Sequence, residues 1–361
     1  MTEKRVVEFF KHNLDDDSIM EFQKVAKGMF ITTGPKTALF ENKFAEYLGV
    51  KHAVGMMSCT HALHLAYCSL GLSSGDEVIV PAFTFAASAS AVMHAGGTPV
   101  FVDVDPDTGI IDHLKIEAAI TTRTKAICPV HLYGVMAPME EISRIAKKHS
   151  LKVIEDGAHC IEGSINGYKP GTLSDAAAFS FYATKNITCG EGGALATNNS
   201  EIAEKVKRLR NHGMTKNAID RFSSDITYYD IQEVGYKSNM NDLQAALLLP
   251  QLANIEEKRD RRQTIVDRYN EGLKDVAGIK TPVIPTGVKS ALHLYTIRIH
   301  MPEMRTEFLR MMREEGVNCS VNYRPLLDLS LFKEKMKIDS AKFPNAKNIG
   351  DTTVTLPLYP S

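Results

Sequence analysis

The chain has no tryptophan, no Cys-x-x-Cys pair and no excess of either charge. Its 361 residues carry 42 Lys plus Arg against 43 Asp plus Glu, a formal net charge of −1. Gripping nucleic acid through a general field needs a marked basic excess, so no nucleic-acid partner is expected. The six cysteines (Cys59, Cys68, Cys128, Cys160, Cys189 and Cys319) form no disulfide framework and show no zinc-ligand spacing. They fit free thiols in a reducing compartment, and no metal is expected. No apolar run approaches the roughly 20 residues of a membrane-spanning helix. Met1–Arg5 is too polar to open a secretory leader. A cytoplasmic protein without a membrane partner is therefore expected. A P-loop is missing, and no Gly-x-Gly-x-x-Gly follows a strand, which argues against a nicotinamide dehydrogenase.

What is present is alternation. Ala53–Met57, Glu77–Pro81, Pro99–Val104, Lys125–Val130, Lys152–Glu155, Ala176–Phe181 and Gly193–Thr197 have the short apolar character of strands. Leu63–Leu70, Ile116–Ile120, Met139–His149 and Ile202–His212 have helical spacing between them. This order predicts an α/β domain with a largely parallel sheet covered on both faces. Residues 1–35 form a polar lead-in ending in the turn signal Thr32-Thr33-Gly34-Pro35. Asp242–Arg268 follows as one long helical pattern, interrupted at Pro250. A strand at His293–His300, a helix at Thr306–Glu315 and a strand at Val317–Tyr323 complete a smaller α/β unit. Two domains are expected, 1–250 and 251–361.

Three segments carry candidate chemistry. In Val153-Ile154-Glu155-Asp156 a strand ends in two acids. Ligands of open α/β sheets sit at such ends, although an acid there also serves as a helix cap. In Ala176–Asn186 an uncharged strand runs into the lone Lys185, followed by the permissive turn Gly190-Glu191-Gly192-Gly193. A desolvated lysine is a nucleophile toward carbonyls, whereas an exposed one is ordinary surface. Ser58-Cys59-Thr60 enters a helix, where free N–H groups bind phosphate or a hydroxyl simply caps.

Together these segments resemble the DegT/DnrJ/EryC1/StrS family of pyridoxal-phosphate-dependent nucleotide-sugar aminotransferases. The resemblance runs from about Ile31 to Tyr359. It is carried by Thr33-Gly34-Pro35, Gly75–Pro81 with Thr84-Phe85, Pro99–Asp103, His131-Leu132-Tyr133-Gly134, Glu155-Asp156, Phe179-Ser180-Phe181, Lys185-Asn186-Ile187-Thr188 and Glu191-Gly192-Gly193. It implies the aspartate-aminotransferase-like fold (fold type I), with a mostly parallel seven-stranded sheet and a smaller carboxy-terminal α/β domain.

The resemblance also implies roles. Lys185 would bond the aldehyde of pyridoxal 5'-phosphate and then move protons as general base and acid. Asp156 would pair with the pyridine nitrogen, and Phe85 would cover the ring. His159 stands where relatives often have glutamine facing the cofactor's 3-oxygen. Cys59, Thr60 and Ser180 would hold the phosphate, and Lys237 or Asn239 would reach the phosphate of a neighbouring subunit. Thr33, Asn186, His293 and Tyr323 would border the substrate. The implied partners are a second copy in a homodimer, L-glutamate with 2-oxoglutarate as its product, and a nucleotide-linked keto-sugar. The cofactor passes through its pyridoxamine form. Gly235–Leu247 is closest to relatives acting at carbon 4, which favours a 4-keto sugar on UDP. A 3-keto sugar, or a regulatory protein that binds the cofactor without turnover, are the alternatives.

Overall fold

The computed structural model describes residues 6–12, 14–215 and 229–360. Met1–Arg5, on which the leader argument rests, lie outside them. The first part contains α1 (Asp16–Ala26), α2 (Pro35–Leu48), β1 (His52–Met56), α3 (Cys59–Ser69), β2 (Glu77–Pro81), α4 (Ala87–His94) and β3 (Thr98–Val102). Next come α5 (Ile116–Ala119), β4 (Thr124–Ile127), α6 (Met139–Lys148), β5 (Lys152–Asp156), β6 (Ser164–Ile165), β7 (Ala176–Ser180), β8 (Gly193–Thr197) and α7 (Ser200–Leu209). The remainder comprises α8 (Asp242–Ala253), α9 (Ile255–Leu273), β9 (Ile279–Lys280), β10 (Val288–Lys289), β11 (Tyr295–Ile299), α10 (Arg305–Glu314), α11 (Pro344–Thr352) and β12 (Thr353–Leu356).

The main sheet has seven strands in the order β1-β8-β7-β5-β4-β2-β3. Strands β3, β2, β4, β5 and β7 run parallel, and β8 is antiparallel to both its neighbours. This is the layered α/β sheet that the alternation predicts. Side chains alternate across it. On β7, Ala176 and Ala178 enter the core shared with α3, whereas Ala177 and Phe179 enter a second core on the opposite face. Phe181, just beyond the strand, joins that second core, where Phe44 meets Phe179 and Phe181 edge-on at 5.1 and 5.5 Å. Ser180 is thereby left on the face of α3.

A third core gathers Val266, Leu292, Tyr295, Ile297, Ile299, Val354, Leu356 and Leu358 on the small sheet β12-β11-β9. Pro250 lies inside α8, and the interruption expected there comes instead at Asn254, which leaves helical geometry at ψ 15°. The boundary expected near 250, inside the connecting helix, falls within α8. Val317–Tyr323, expected as a strand, is not one. Val317 bridges Val7 and Ser320 bridges Thr355, so the segment changes partner and never builds a continuous ladder. Among the described residues, no helix is long and apolar enough to cross a membrane.

Candidate active site

A cavity of about 470 Å³ opens at the carboxyl ends of β5 and β7. Period-two alternation separates the two acids that end β5. Glu155 is fully buried, 2.5 Å from His131 Nε2, and accepts from Gly171 N–H at 2.7 Å. Asp156 turns the other way and lines the cavity. Its Oδ2 accepts from Ser88 Oγ at 2.7 Å and its Oδ1 from Ala158 N–H at 3.1 Å. The Cys59 thiol points at Oδ1 from 3.8 Å. Burial and the Asp156 charge push that thiol well above its usual range, so Cys59 stays protonated and is no nucleophile.

Lys185 sits in the turn after β7 on the cavity wall, with its N–H donating to Tyr182 O at 2.9 Å. Burial lowers its ammonium to about 8, against the opposing pull of the Asp156 carboxylate. About a tenth of the amine is therefore neutral near pH 7, far more than for an ordinary lysine. The turn closes back on itself, because Phe181 N–H donates to Gly192 O at 2.9 Å and Thr188 Oγ to Phe181 O at 3.1 Å.

The start of α3 forms another wall. Ser58 is its N-cap, with Oγ accepting from His61 N–H at 3.2 Å, so the plain capping role is real. Cys59 and Thr60 lie one and two residues further on, where N–H groups lack intrahelical acceptors. Strand β8 passes close beneath. A Cβ on Gly193 would stand 2.3 Å from the carbonyl carbon of Ser58 and 2.5 Å from Cys59 N. Only glycine permits that approach. Ser180 completes this corner of the cavity.

His159 and Tyr323 face the same space. His159 Nδ1 accepts from Tyr133 N–H at 3.1 Å, so the neutral ring carries its proton on Nε2, 3.1 Å from Tyr323 OH. Burial, with Lys185 and His293 nearby, holds His159 well below the usual histidine range. Phe85 is 57% exposed, with its ring centroid 5.5 Å from that of Tyr323. It is an apolar face turned to the cavity and not to the core.

Of the expected site residues, Cys59, Thr60, Phe85, Asp156, His159, Ser180, Lys185, His293 and Tyr323 line this one cavity. Four others do not. The Asn186 side chain turns away to donate to Glu162 and to Ala291 O. Thr33 Oγ donates to Met240 O at 2.6 Å and accepts from Asn239 Nδ2 at 2.5 Å. Lys237 is exposed outside the cavity. Sequence reading missed Ser88, hidden in an Ala/Ser-rich helix without polar periodicity, and Phe9, which the lead-in brings to the cavity. Neither has a local signal. Among the described residues, no group of three or more His, Cys, Asp or Glu is placed to hold a metal.

Residues 12–361 match the DegT/DnrJ/EryC1/StrS aminotransferase family. The chain belongs to that family. It is 40% identical over 350 residues to the spore coat polysaccharide biosynthesis protein SpsC of Bacillus subtilis, covering 96% of this chain and 90% of SpsC. It is 42% identical over 290 residues to the GDP-perosamine synthase of Caulobacter vibrioides, covering 80% and 76%. Spr1654 of Streptococcus pneumoniae, solved in a PLP-form and a PMP-form, superposes with a TM-score of 0.92 at 32% identity, covering 98% of this chain and 94% of that one.

This aminotransferase has the donor set that pyridoxal phosphate requires. Lys185 offers an amine for the aldehyde and Asp156 a pre-oriented carboxylate for the ring nitrogen. The α3 start with Thr60 and Ser180 offers N–H and O–H donors for the phosphate. Phe85 offers a flat face, and the tight passage at Gly193 preserves the phosphate corner.

Proposed function

We propose that this aminotransferase moves an amino group from L-glutamate to a keto group of a nucleotide-linked sugar. Carbon 4 is the favoured position, UDP the favoured nucleotide, and deoxyamino-sugar or surface-glycan synthesis the setting. One observation carries the reading: Lys185, with its ammonium lowered to about 8, shares a cavity with a carboxylate already held by Ser88 and Ala158. That pair suits amino-group transfer on pyridoxal phosphate. The polysaccharide and perosamine names of the relatives support the sugar substrate.

When bound, pyridoxal phosphate supplies the aldehyde that accepts the nitrogen and the ring that withdraws electrons. The protein's own residues do the rest. Lys185 Nζ would hold and move the proton between substrate and cofactor. Asp156 would pair with the ring nitrogen. His159 has its protonated Nε2 3.1 Å from Tyr323 OH and would be available to the cofactor's 3-oxygen. Phe85 would cover the ring. Residues 1–250 act as the cofactor-binding unit, and 251–361 as the smaller unit that lends His293 and Tyr323. Thr33, Lys237 and Asn239 stand outside their own cavity, which supports a homodimer in which they serve the partner's phosphate and substrate.

The test is a panel of nucleotide keto-sugars with glutamate, read by product mass. Amination of a UDP-linked 4-keto sugar is expected. Product only from a 3-keto sugar overturns the carbon-4 assignment, and product only from a GDP-sugar overturns the nucleotide. Cofactor binding with no turnover on any of them overturns the enzyme reading in favour of a regulatory binder.

A further inference from the structure

Behind the cavity wall lies a buried polar chain that runs from α9 to His293. Arg262 of α9 is 2% exposed and pairs with Glu162, which is 0% exposed. Asn186 Nδ2 lies 2.9 Å from both Glu162 carboxylate oxygens and 2.9 Å from Ala291 O. A backbone carbonyl only accepts, so the amide nitrogen must face Ala291. The amide oxygen then faces the other way, 3.0 Å from His293 Nδ1. An amide oxygen also only accepts, so His293 must carry a proton on Nδ1.

His293 is 5% exposed, and its open atoms belong to the cavity. Burial, with Lys185 and Arg262 nearby, holds it well below the usual histidine range, so the ring is neutral. A neutral ring protonated on Nδ1 presents a bare lone pair at Nε2. His159, whose ring centroid is 4.4 Å away, has the opposite tautomer because Tyr133 N–H occupies its Nδ1. The two adjacent imidazoles therefore differ in role: His159 donates and His293 accepts.

We propose that Glu162 and Asn186 are positioning residues that lock His293 as the Nδ1–H tautomer, so that its Nε2 accepts a hydroxyl of the sugar substrate. The inference rests on the sugar reading above and deepens it. A carbohydrate offers a dense set of O–H donors, whereas the carboxylates of glutamate only accept and are repelled by a lone pair. His293 thus serves the acceptor half-reaction and not the donor half-reaction. Burial pushes the Glu162 carboxyl up, and the Arg262 guanidinium and Asn186 amide pull against that shift and hold the carboxylate in place.

Two measurements on the cofactor-loaded protein test this. The first is nitrogen NMR with ¹⁵N-histidine, assigned with His293→Gln. The wild type should show His293 protonated on Nδ1 and bare on Nε2, and Asn186→Ala should release that preference. A proton on Nε2 in the wild type overturns the proposal regardless of activity. The second is the Glu162→Gln variant, which removes the charged acceptor that helps Ala291 O hold the Asn186 amide nitrogen and so loosens the hold on His293. It should raise KM for the keto-sugar about tenfold, the worth of one hydrogen bond, while glutamate consumption without sugar stays within about twofold. A variant that loses both half-reactions by the same factor shows a merely structural role and overturns the proposal. Failure of the sugar reading is recognised separately, because the wild type would then aminate no keto-sugar.

Discussion

Two groups of polar residues, both expected around the cofactor or its substrate, come to very different ends. Lys185, Asp156, His159, Ser180 and Thr60 converge on one cavity from the ends of β5 and β7 and the start of α3. Lys237 is exposed and bridges Asn211, whereas Thr33 and Asn239 meet beside the start of α2. There Asp242 accepts from Gly34 N–H and Thr37 N–H at 2.8 Å each and caps the helix. Thr33 is tied to Asn239 and Met240 beside it. In the first group, burial lowers the pKa values of Lys185 and His159. Within one chain, the second has a structural role. The contrast is one of position: the first group sits at strand ends and a helix start around the cavity, and the second lies outside the cavity of its own chain.

Breaking the first group should have the largest effects. Lys185→Ala should abolish the visible absorbance of the bound cofactor and cut turnover about a thousandfold or more, read by absorbance and by glutamate consumption. Asp156→Asn keeps the shape but removes the charge opposite the ring nitrogen. Turnover should fall about a hundredfold, consistent with breaking a buried ion pair. The pH dependence of cofactor uptake sharpens the same point. The Lys185 pKa is lowered, so the reactive neutral amine accumulates as pH rises and saturates above about 8. The rate at which apo-protein takes up pyridoxal phosphate should rise about tenfold per unit below that value and level off above it. A rate still climbing beyond pH 10 would mean an ordinary exposed lysine. The smallest effect belongs to the second group. Lys237→Ala with Asn239→Ala should weaken cofactor affinity about tenfold with the visible absorbance retained at saturation. Mixing these chains with Lys185→Ala chains should restore some tight-binding, active sites if the groups act across subunits.

The seven strands of the main sheet were legible because short apolar runs between helices allow few arrangements. The observed strand His52–Met56 differs from the expected Ala53–Met57 by one residue, and β2 and β8 not at all. Helix α2 was not legible because Gly34-Pro35 reads as a turn, whereas here Gly34 is the N-cap and Pro35 opens the helix. A Cβ at Gly34 would stand 2.6 Å from Asp242 Oδ2, a contact across 208 residues that no local pattern encodes. In the site, Lys185 is visible as the lone charge after an apolar strand, and Asp156 as one of two acids that end another. Ser88 and the Glu162–Asn186–His293 chain are not. Their meaning depends on which way an amide or hydroxyl turns, and only the packed neighbours decide that. Asn186 is the plainest case: beside Lys185 in sequence, it faces the opposite side of the cavity wall.

The central claim is that one lysine, in this one cavity, holds the cofactor. Borohydride reduction of the pyridoxal-phosphate-loaded protein traps the cofactor on whichever amine bears it, and peptide mass mapping locates the added pyridoxyl group. The account predicts that group on the peptide containing Lys185, at one per chain. Modification at another lysine, or none at all in protein that has taken up the cofactor, would contradict it.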